Sequence, residues 1–402
     1  MRVVYVNADH GIPVFGDKGA AVHVREMVRA LCEIGCETRL LATRLGSGDH
    51  GDLARITELV EAPTRAAFGG DMAGRESAGR ESKERAYHAA ALGIEARLAQ
   101  CYDQRPFDMI YERYSLWSAA GVRAAANLGI PVVVEVNAPL VEEQATYRNL
   151  VLEEMARALE AEVFSSASAL VIVSEGLRDY VVERGASPGK VHVLGNAVDL
   201  TRFNPSARPA AIDLDPKDFV IGFTGSLKRW HGIDILLEAF RLVRQQAPDA
   251  QLLIVGDGPK RGWAEGFAQG ARLENAVTMT GWVDHSALPG LIARMDVATA
   301  PYPPSENSYF SPLKLYEYLA VGRPIVASAI GQTADVIKDG INGILTPPGD
   351  AAALAEALLA LRANPARAAA LGRAAALEGA RHSWTRNARA VTKLAATLRR
   401  AA

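Results

Sequence analysis

The sequence predicts an α/β protein of two similar domains, in each of which helices cover a parallel sheet. Short apolar runs of strand length alternate with longer stretches whose apolar residues recur at helical spacing, and this alternation is typical of βαβ units. The alternation stops once, in a proline-containing stretch near the middle of the chain, and then resumes. The 402 residues are also enough for two domains.

The first domain is expected to span residues 1–200. Its predicted strands are residues 3–6, 38–42, 107–111, 131–136, 169–173 and 191–194. A helix is predicted after the first strand because apolar residues share one face there, namely Ala21, Val24, Met27, Val28 and Leu31. Cys32 is expected on the buried side of this helix as a small core residue. Residues 66–85, in which AGRES occurs twice, are predicted to form a mobile loop or a solvated helix.

The second domain is expected to follow a linker, residues 201–218, in which prolines interrupt the periodicity. It spans residues 219–384, with predicted strands at residues 219–224, 251–255, 277–279, 296–300 and 324–327. The last residues, 385–402, have a helical pattern rich in alanine, leucine and arginine.

Composition and charge exclude several classes of protein. The net charge of −2 gives no indication of a nucleic-acid partner. Three cysteines without a CxxC pair make a disulfide framework improbable and favour a reducing compartment. Met1 is followed at once by a strand-like run, and no apolar run reaches 18 residues, so we expect neither a signal peptide nor a transmembrane segment. The expected location is the cytoplasm, and peripheral attachment to a membrane stays open.

The loops at the carboxyl ends of the predicted strands are the candidate binding sites, because ligands of open α/β sheets lie there. Gly19 and Ala20 stand at the start of the first helix. Small residues at a helix start let an anion approach the backbone N–H groups. A simple turn glycine is the equal alternative.

The run that begins at Ser311 is the strongest candidate. Ser311 is a suitable N-cap and Pro312 a suitable first helical residue, so a helix is predicted to begin here. Lys314 then lies in the first turn, where a cation disfavours the helix unless an anion docks beside it. We therefore predict a phosphate site. The alternative is that Lys314 and Glu317 form a surface ion pair of little value.

Two further loops have the composition of phosphate sites. Residues 222–232 combine glycines with two cations and a histidine, which together could clamp a diphosphate; the three are Lys228, Arg229 and His231. The run Gly256-Asp257-Gly258-Pro259 also connects a predicted strand to a helix, and a plain turn is its equal alternative.

Taken together, these loops resemble the retaining GT-B glycosyltransferases of family GT4, over nearly the whole chain. The most specific part runs from Ser311 through Glu317 to the segment Gly322-Arg323-Pro324-Ile325-Val326. Supporting parts are residues 225–232, 255–259, 280–283 and 196–199. The resemblance implies two Rossmann-like domains that face a central cleft, with the helix of residues 385–402 crossing back to the first domain.

The resemblance also implies roles for particular residues. Glu317 would accept hydrogen bonds from the ribose hydroxyls of the donor, and backbone groups of Gly281 and Val283 would meet the base. The full set expected to bind the donor is Gly19, Ala20, Ser226, Arg229, Gly258, Gly281, Val283, Tyr309, Ser311, Pro312, Leu313, Lys314 and Glu317. The expected catalytic residues are Glu135, Asn137, Lys228 and His231, and the expected acceptor-binding residues are Arg113 and Tyr114.

Several positions depart from the family pattern. Many relatives carry a glutamate eight residues before Glu317, where this chain has Tyr309; Glu306 is the nearest replacement. Ser226 and His231 stand where an arginine and a lysine are frequent. The histidine that often follows the strand of residues 131–136 is absent, and Glu135 or Asn137 is expected to touch the transferred sugar instead. Asn137 as a turn residue beside Pro139 is the equal alternative.

The function that the resemblance implies is transfer of a hexose or N-acetylhexosamine from a nucleotide-diphosphate sugar to an acceptor hydroxyl, with retention at the anomeric centre. UDP is the first expectation for the nucleotide and GDP the second. No metal and no cofactor are expected, and the leaving phosphate would assist attack on the same face.

The acceptor stays open among small molecules such as aminocyclitols, glycans and lipid-linked sugars. The oligomeric state is expected to be a monomer or a homodimer. The alternatives are a non-hydrolysing nucleotide-sugar 2-epimerase and a non-catalytic nucleotide-sugar-binding protein.

Overall fold

The computed structural model describes residues 1–61, 76–215, 217–305 and 308–401. The chain divides into two compact units, Met1–Gly195 with Trp384–Ala402, and Asn196–Ser383. Both are parallel α/β units, which confirms the predicted fold class. The boundary lies a few residues earlier than the expected end of the first domain.

The first unit contains a parallel sheet whose described strands have the order β3-β2-β1-β4-β5-β6-β7. The strands are β1 (Arg2–Asn7), β2 (Glu37–Ala42), β3 (Thr57–Leu59), β4 (Met109–Arg113), β5 (Val132–Val136), β6 (Ala169–Ile172) and β7 (Val191–Val193). The helices are α1 (Gly19–Glu33), α2 (Glu76–Gln104), α3 (Ala120–Leu128), α4 (Leu140–Tyr147), α5 (Glu153–Ser166) and α6 (Arg178–Glu183). Every residue of β5 is buried, as expected for a central strand that has helices on both faces.

The second unit repeats the plan, with the described strands in the order β10-β9-β8-β11-β12-β13. The strands are β8 (Phe219–Thr224), β9 (Ala250–Val255), β10 (Val277–Met279), β11 (Val297–Ala300), β12 (Ile325–Ser328) and β13 (Ile344–Thr346). The helices are α7 (Ile233–Gln246), α8 (Arg261–Gly270), α9 (Leu288–Ala293), α10 (Leu313–Val321), α11 (Gly331–Val336), α12 (Ala351–Ala363) and α13 (Pro365–Gly379). The strand order reverses between β8 and β11, and such a switch point is where Rossmann-like sheets bind ligands.

The last helix, α14 (Trp384–Ala401), belongs to the first unit. It packs against α1, where the Trp384 ring lies 4.7 Å from the His23 ring, centroid to centroid. Near its other end Arg399 pairs with Asp108. No helix among the described residues is both long and apolar enough to cross a membrane.

Two details of the prediction need correction. The expected linker, residues 201–218, packs on the second unit: Arg294 donates to the carbonyl of Asp215 (2.7 Å), and Ala210 N donates to Gly290 O (2.9 Å). Cys32 is exposed rather than buried, because it lies on the outer side of α1. The repeated AGRES segment falls partly outside the described residues, and from Glu76 onward the chain forms α2.

Candidate active site

The site is built at the switch point of the second unit, from the loops that follow β8 and β11. The second loop leads into α10, which begins at Leu313 with Pro312 immediately before it. The sequence placed the helix start one residue earlier, with Ser311 as the N-cap. That prediction is wrong because the Ser311 hydroxyl accepts a hydrogen bond from the backbone N–H of Asn196 (2.9 Å). No side chain caps α10, and an uncapped helix start of this kind can receive an anion.

Lys314, in the first turn of α10, is buried, with only 7% of the residue exposed. Its Nζ has no hydrogen-bond partner among the described residues and lies 3.9 Å from the ring centroid of Phe223. Burial lowers the pKa of Lys314 to about 7, although the charge of Glu317 acts in the opposite direction. The alternative of a surface ion pair with Glu317 is therefore wrong. An unpaired buried ammonium is unfavourable in the empty protein and favourable beside an anion.

The unpaired amine makes stability depend on pH. Because the pKa of Lys314 is lower in the folded chain (about 7) than its ordinary value of 10.5, the unfolded chain binds more protons between these two values. We expect Lys314→Met to stabilise the protein by a few kcal/mol below about pH 7, and this gain to shrink toward zero as the pH rises to about 10. Urea unfolding of both proteins across this range measures the gain. A gain that does not change with pH would contradict the lowered pKa.

Glu317 lies one turn beyond Lys314 and is also buried. Its Oε1 is 2.8 Å from Nε2 of His285. His285 follows β10 by a few residues, and sequence reasoning did not identify it because the two residues are 32 positions apart. The carboxylate of Glu317 keeps its other oxygen for further donors, as binding of ribose hydroxyls requires.

The loop after β8 differs from the predicted cationic clamp. Nδ1 of His231 lies 2.5 Å from the carbonyl oxygen of Ser226, so Nδ1 carries the hydrogen. Burial, together with the positive charges of Lys314 and Lys228, lowers the pKa of His231 to about 3. His231 is therefore neutral at physiological pH and offers Nε2 as an acceptor. His231 therefore adds no positive charge to this loop, and its predicted catalytic role stays a prediction.

The remaining cations of this loop lie farther out. Lys228 places Nζ 4.9 Å from the ring centroid of Trp230, and Arg229 is exposed. Tyr309 is half-buried beside Phe310, with the ring centroids 6.5 Å apart. Glu306 lies outside the described residues. Among the described residues, Lys314 is thus the buried cation of the site.

Glycines bring the backbones of these loops into contact. Gly225 has φ +131°, and a Cβ on it would lie 2.8 Å from Nζ of Lys314. A Cβ on Gly258 would lie 2.6 Å from the backbone nitrogen of Leu227. Gly258 therefore lets two loops pack closely, and its predicted role in donor binding stays a prediction. Gly281 has φ +72°, and its carbonyl accepts a hydrogen bond from Gly256 N (3.0 Å), which places it and the half-buried Val283 at the same edge of the sheet.

In the first unit, Glu135 at the end of β5 is buried in a network of donors. His23 Nε2 lies 2.7 Å from its Oε1, Asn137 donates to Oε1 (2.5 Å), and Tyr111 donates to Oε2. Burial by itself raises the pKa of this carboxyl, but the neighbouring His23, Arg113 and Tyr111 outweigh burial, and the pKa falls to about 2. Glu135 is therefore ionised, holds its neighbours by hydrogen bonds and is a poor base. Asn137 is half-buried and so more accessible to a ligand.

The predicted acceptor residues are both buried. Tyr114 donates its hydroxyl to Glu160 (2.8 Å) and packs on Phe164 with ring centroids 5.0 Å apart. This contact lies in the core beside α5, so the Tyr114 side chain is not available to an acceptor and that prediction is wrong. Arg113 donates to Asn137 Oδ1 (2.5 Å) and so belongs to the network around Glu135.

Gly19 is the first residue of α1, as the sequence predicts, and is exposed. Ala20 follows it, half-buried. The helix start has no capping side chain and no acidic residue in its first turn. Its N–H groups are therefore suited to an anion in the same way as those of α10.

Two Rossmann-like units, with a buried cation and an uncapped helix start at the switch point of the second, are an arrangement suited to an anionic ligand such as a nucleotide. Residues 18–197 match the glycosyl transferase 4-like domain and residues 218–364 match the glycosyl transferases group 1. The two matches together take in about four-fifths of the chain. The chain belongs to the group 1 glycosyltransferases and is a glycosyltransferase of the GT4 type.

Individual relatives agree with this assignment. A D-inositol 3-phosphate glycosyltransferase of Arthrobacter sp. strain FB24 is 28% identical over 397 residues, which cover 94% of this chain and 89% of that protein. A glycogen synthase of Mycobacterium tuberculosis H37Rv is 25% identical over 387 residues, with 93% and 89% covered. Among solved structures, a sucrose-phosphate synthase from Thermosynechococcus elongatus superposes with a TM-score of 0.74 at 21% identity over 100% of both chains. Anabaena HepE in complex with UDP and glucose gives 0.71 at 17% identity, with 99% of this chain and 100% of that chain covered.

Proposed function

We propose that this glycosyltransferase transfers a hexose or N-acetylhexosamine from a UDP-sugar to an acceptor hydroxyl with retention at the anomeric centre. The observation that carries the proposal is the buried amine of Lys314, unpaired among the described residues, at the open start of α10. A diphosphate supplies the anion that this arrangement lacks. Anabaena HepE, a structural neighbour, has been solved in complex with UDP and glucose and with UDP-glucose, which supports UDP over GDP.

In this proposal Lys314 and the first N–H groups of α10 donate to the diphosphate oxygens. They stabilise the negative charge that grows as the bond between the sugar C1 and the phosphate oxygen breaks. A cation of the protein in this position makes a divalent metal unnecessary. Glu317 accepts hydrogen bonds from the ribose hydroxyls and thereby fixes the nucleoside.

In this proposal retention is the outcome that the resemblance implies, and the state of Glu135 supports it. Glu135 is the buried carboxylate at the end of β5, and its low pKa of about 2 makes it a poor proton acceptor. We propose that the acceptor hydroxyl attacks C1 on the face from which the diphosphate departs. Its proton passes to the leaving phosphate oxygen, which takes the electron pair of the broken bond.

The test combines a donor panel with product analysis. We expect UDP-sugars to raise the melting temperature by mass action, and we expect UDP release with an acceptor panel of cyclitols, glucans and lipid-linked sugars. Proton NMR of the product should show the anomeric configuration of the donor, and EDTA should leave the rate unchanged. An inverted centre would overturn retention. A C2 epimer formed from donor alone would identify an epimerase, and binding without turnover would identify a non-catalytic binding protein.

A further inference from the structure

A chain of polar contacts leads from the segment that opens the second unit to Glu317. Nε of Arg202 lies 2.5 Å from Oδ2 of Asp199, and Nη1 of Arg202 lies 3.4 Å from Nδ1 of His285. Nε2 of the same imidazole lies 2.8 Å from Oε1 of Glu317. All four residues belong to the second unit. The contacts therefore connect residues far apart in sequence to the carboxylate at the switch point.

The partners of His285 determine where its hydrogen lies. A guanidinium can only donate, so the nitrogen that faces Arg202 must present its lone pair. An ionised carboxylate can only accept, so the nitrogen that faces Glu317 must carry the hydrogen. Both partners thus select the same tautomer of the neutral imidazole, with the hydrogen on Nε2.

The other end of the chain of contacts is fixed in place. Oδ1 of Asp199 accepts from the backbone N–H of Thr201 (2.9 Å) and from its hydroxyl (2.6 Å). Burial raises the pKa of the Asp199 carboxyl, but these hydrogen bonds and the one from Arg202 outweigh burial, so the pKa is lowered. The buried Phe203 packs against the imidazole with ring centroids 5.2 Å apart. His285 is therefore in contact with both a buried ring and a charged pair.

We propose that His285, with its tautomer selected by Arg202, is a positioning residue that orients the Glu317 carboxylate for the two ribose hydroxyls of the donor. One hydrogen bond to Oε1 fixes the plane of the carboxylate and leaves its remaining lone pairs for the ligand. His285 acts on the ribose through Glu317. This inference rests on the proposed function, in which Glu317 binds the ribose.

The experiment measures affinity for UDP and for 2′,3′-dideoxy-UDP by calorimetry in the full chain. The variants are His285→Phe, which keeps a ring but loses the donor, His285→Gln, which can donate again, Arg202→Met, and Glu317→Gln as the reference. The control is His192→Phe, an exposed position on β7 of the first unit. Wild type should prefer UDP over the dideoxy probe.

We expect His285→Phe to lower the affinity for UDP about tenfold and to leave the affinity for the dideoxy probe nearly unchanged. The orientation of the Glu317 carboxylate matters only for a ligand whose ribose hydroxyls bond to that charged group. His285→Gln should recover most of the preference, and Arg202→Met should lose part of it. In turnover, the donor KM should rise while kcat stays nearly constant. The control should match wild type.

Equal weakening of both probes by His285→Phe, while Glu317→Gln lowers only UDP affinity, would overturn the inference and leave the proposed role of Glu317 intact. A Glu317→Gln protein that still prefers UDP as strongly as wild type would overturn both. The two failures are therefore distinguishable in one set of titrations.

Discussion

Lys314→Met is expected to lower kcat/KM by about 10²–10³-fold, because it removes a preorganised donor from the diphosphate where charge develops in the transition state. Methionine has a similar length and is apolar, so it fits the buried space over the Phe223 ring. UDP release with saturating acceptor measures the loss. The same variant should melt at a higher temperature than wild type at neutral pH, because an unpaired buried ammonium has been removed.

The opposite signs of these two effects separate a functional role from a structural one. Substitution of a residue that only supports the fold would lower the activity and the stability of the protein together. The matched control is Lys338→Met, an exposed lysine of the same unit, which should change neither quantity. Wild-type activity in Lys314→Met would show that the diphosphate is held elsewhere.

Gly225→Ala is expected to lower kcat/KM by about 10²-fold. At φ +131° the backbone of Gly225 is strained for any residue with a Cβ, by about 1–3 kcal/mol. The added carbon would also lie 2.8 Å from Nζ of Lys314 and would push the amine away from its place. A displacement of about 1 Å at a catalytic contact is enough for a loss of this size.

Two further variants separate the causes of that loss. Gly340→Ala has a positive φ (+71°) but no atom within 4 Å of the added Cβ, so it reports the effect of strain alone and should retain nearly full activity. In a Lys314→Met background, Gly225→Ala should add little, because the amine that it displaces is already gone. Full additivity of the two substitutions would contradict this explanation.

The sequence predicted the fold through local periodicity. The predicted strands at residues 219–224 and 277–279 have the observed bounds of β8 and β10. The two strands that it missed, Thr57–Leu59 and Ile344–Thr346, are three residues long and lie at the sheet edges. Alternation is not visible in three residues, but β10 is equally short and also an edge strand, so length alone does not explain why these two strands were missed.

The site was predictable as a set of loops but not as a set of contacts. Composition indicated Lys314 and Glu317, because a cation in a first helical turn needs an explanation. Nothing local indicates that the Ser311 hydroxyl serves Asn196, which lies 115 positions earlier. Nothing local indicates the neutral state of His231 either, because that state depends on burial and on Lys314 in the distant helix α10. Contacts between segments that are distant in sequence therefore determine the protonation state of His231 and the capping of α10.

The chain enters and leaves the second unit at neighbouring points. Val198 pairs with Ser383 in a parallel bridge, and Val198 N donates to His382 O (3.0 Å). In the first unit, Asn387 donates to Gly195 O (2.9 Å). The residue before the second unit therefore lies close to the helix that follows that unit. Residues 196–383 thus form one continuous unit whose first and last residues lie close together. We expect that exchanging residues 196–383 with the matching part of a relative would exchange the proposed donor site, and such a chimera needs only two splice points.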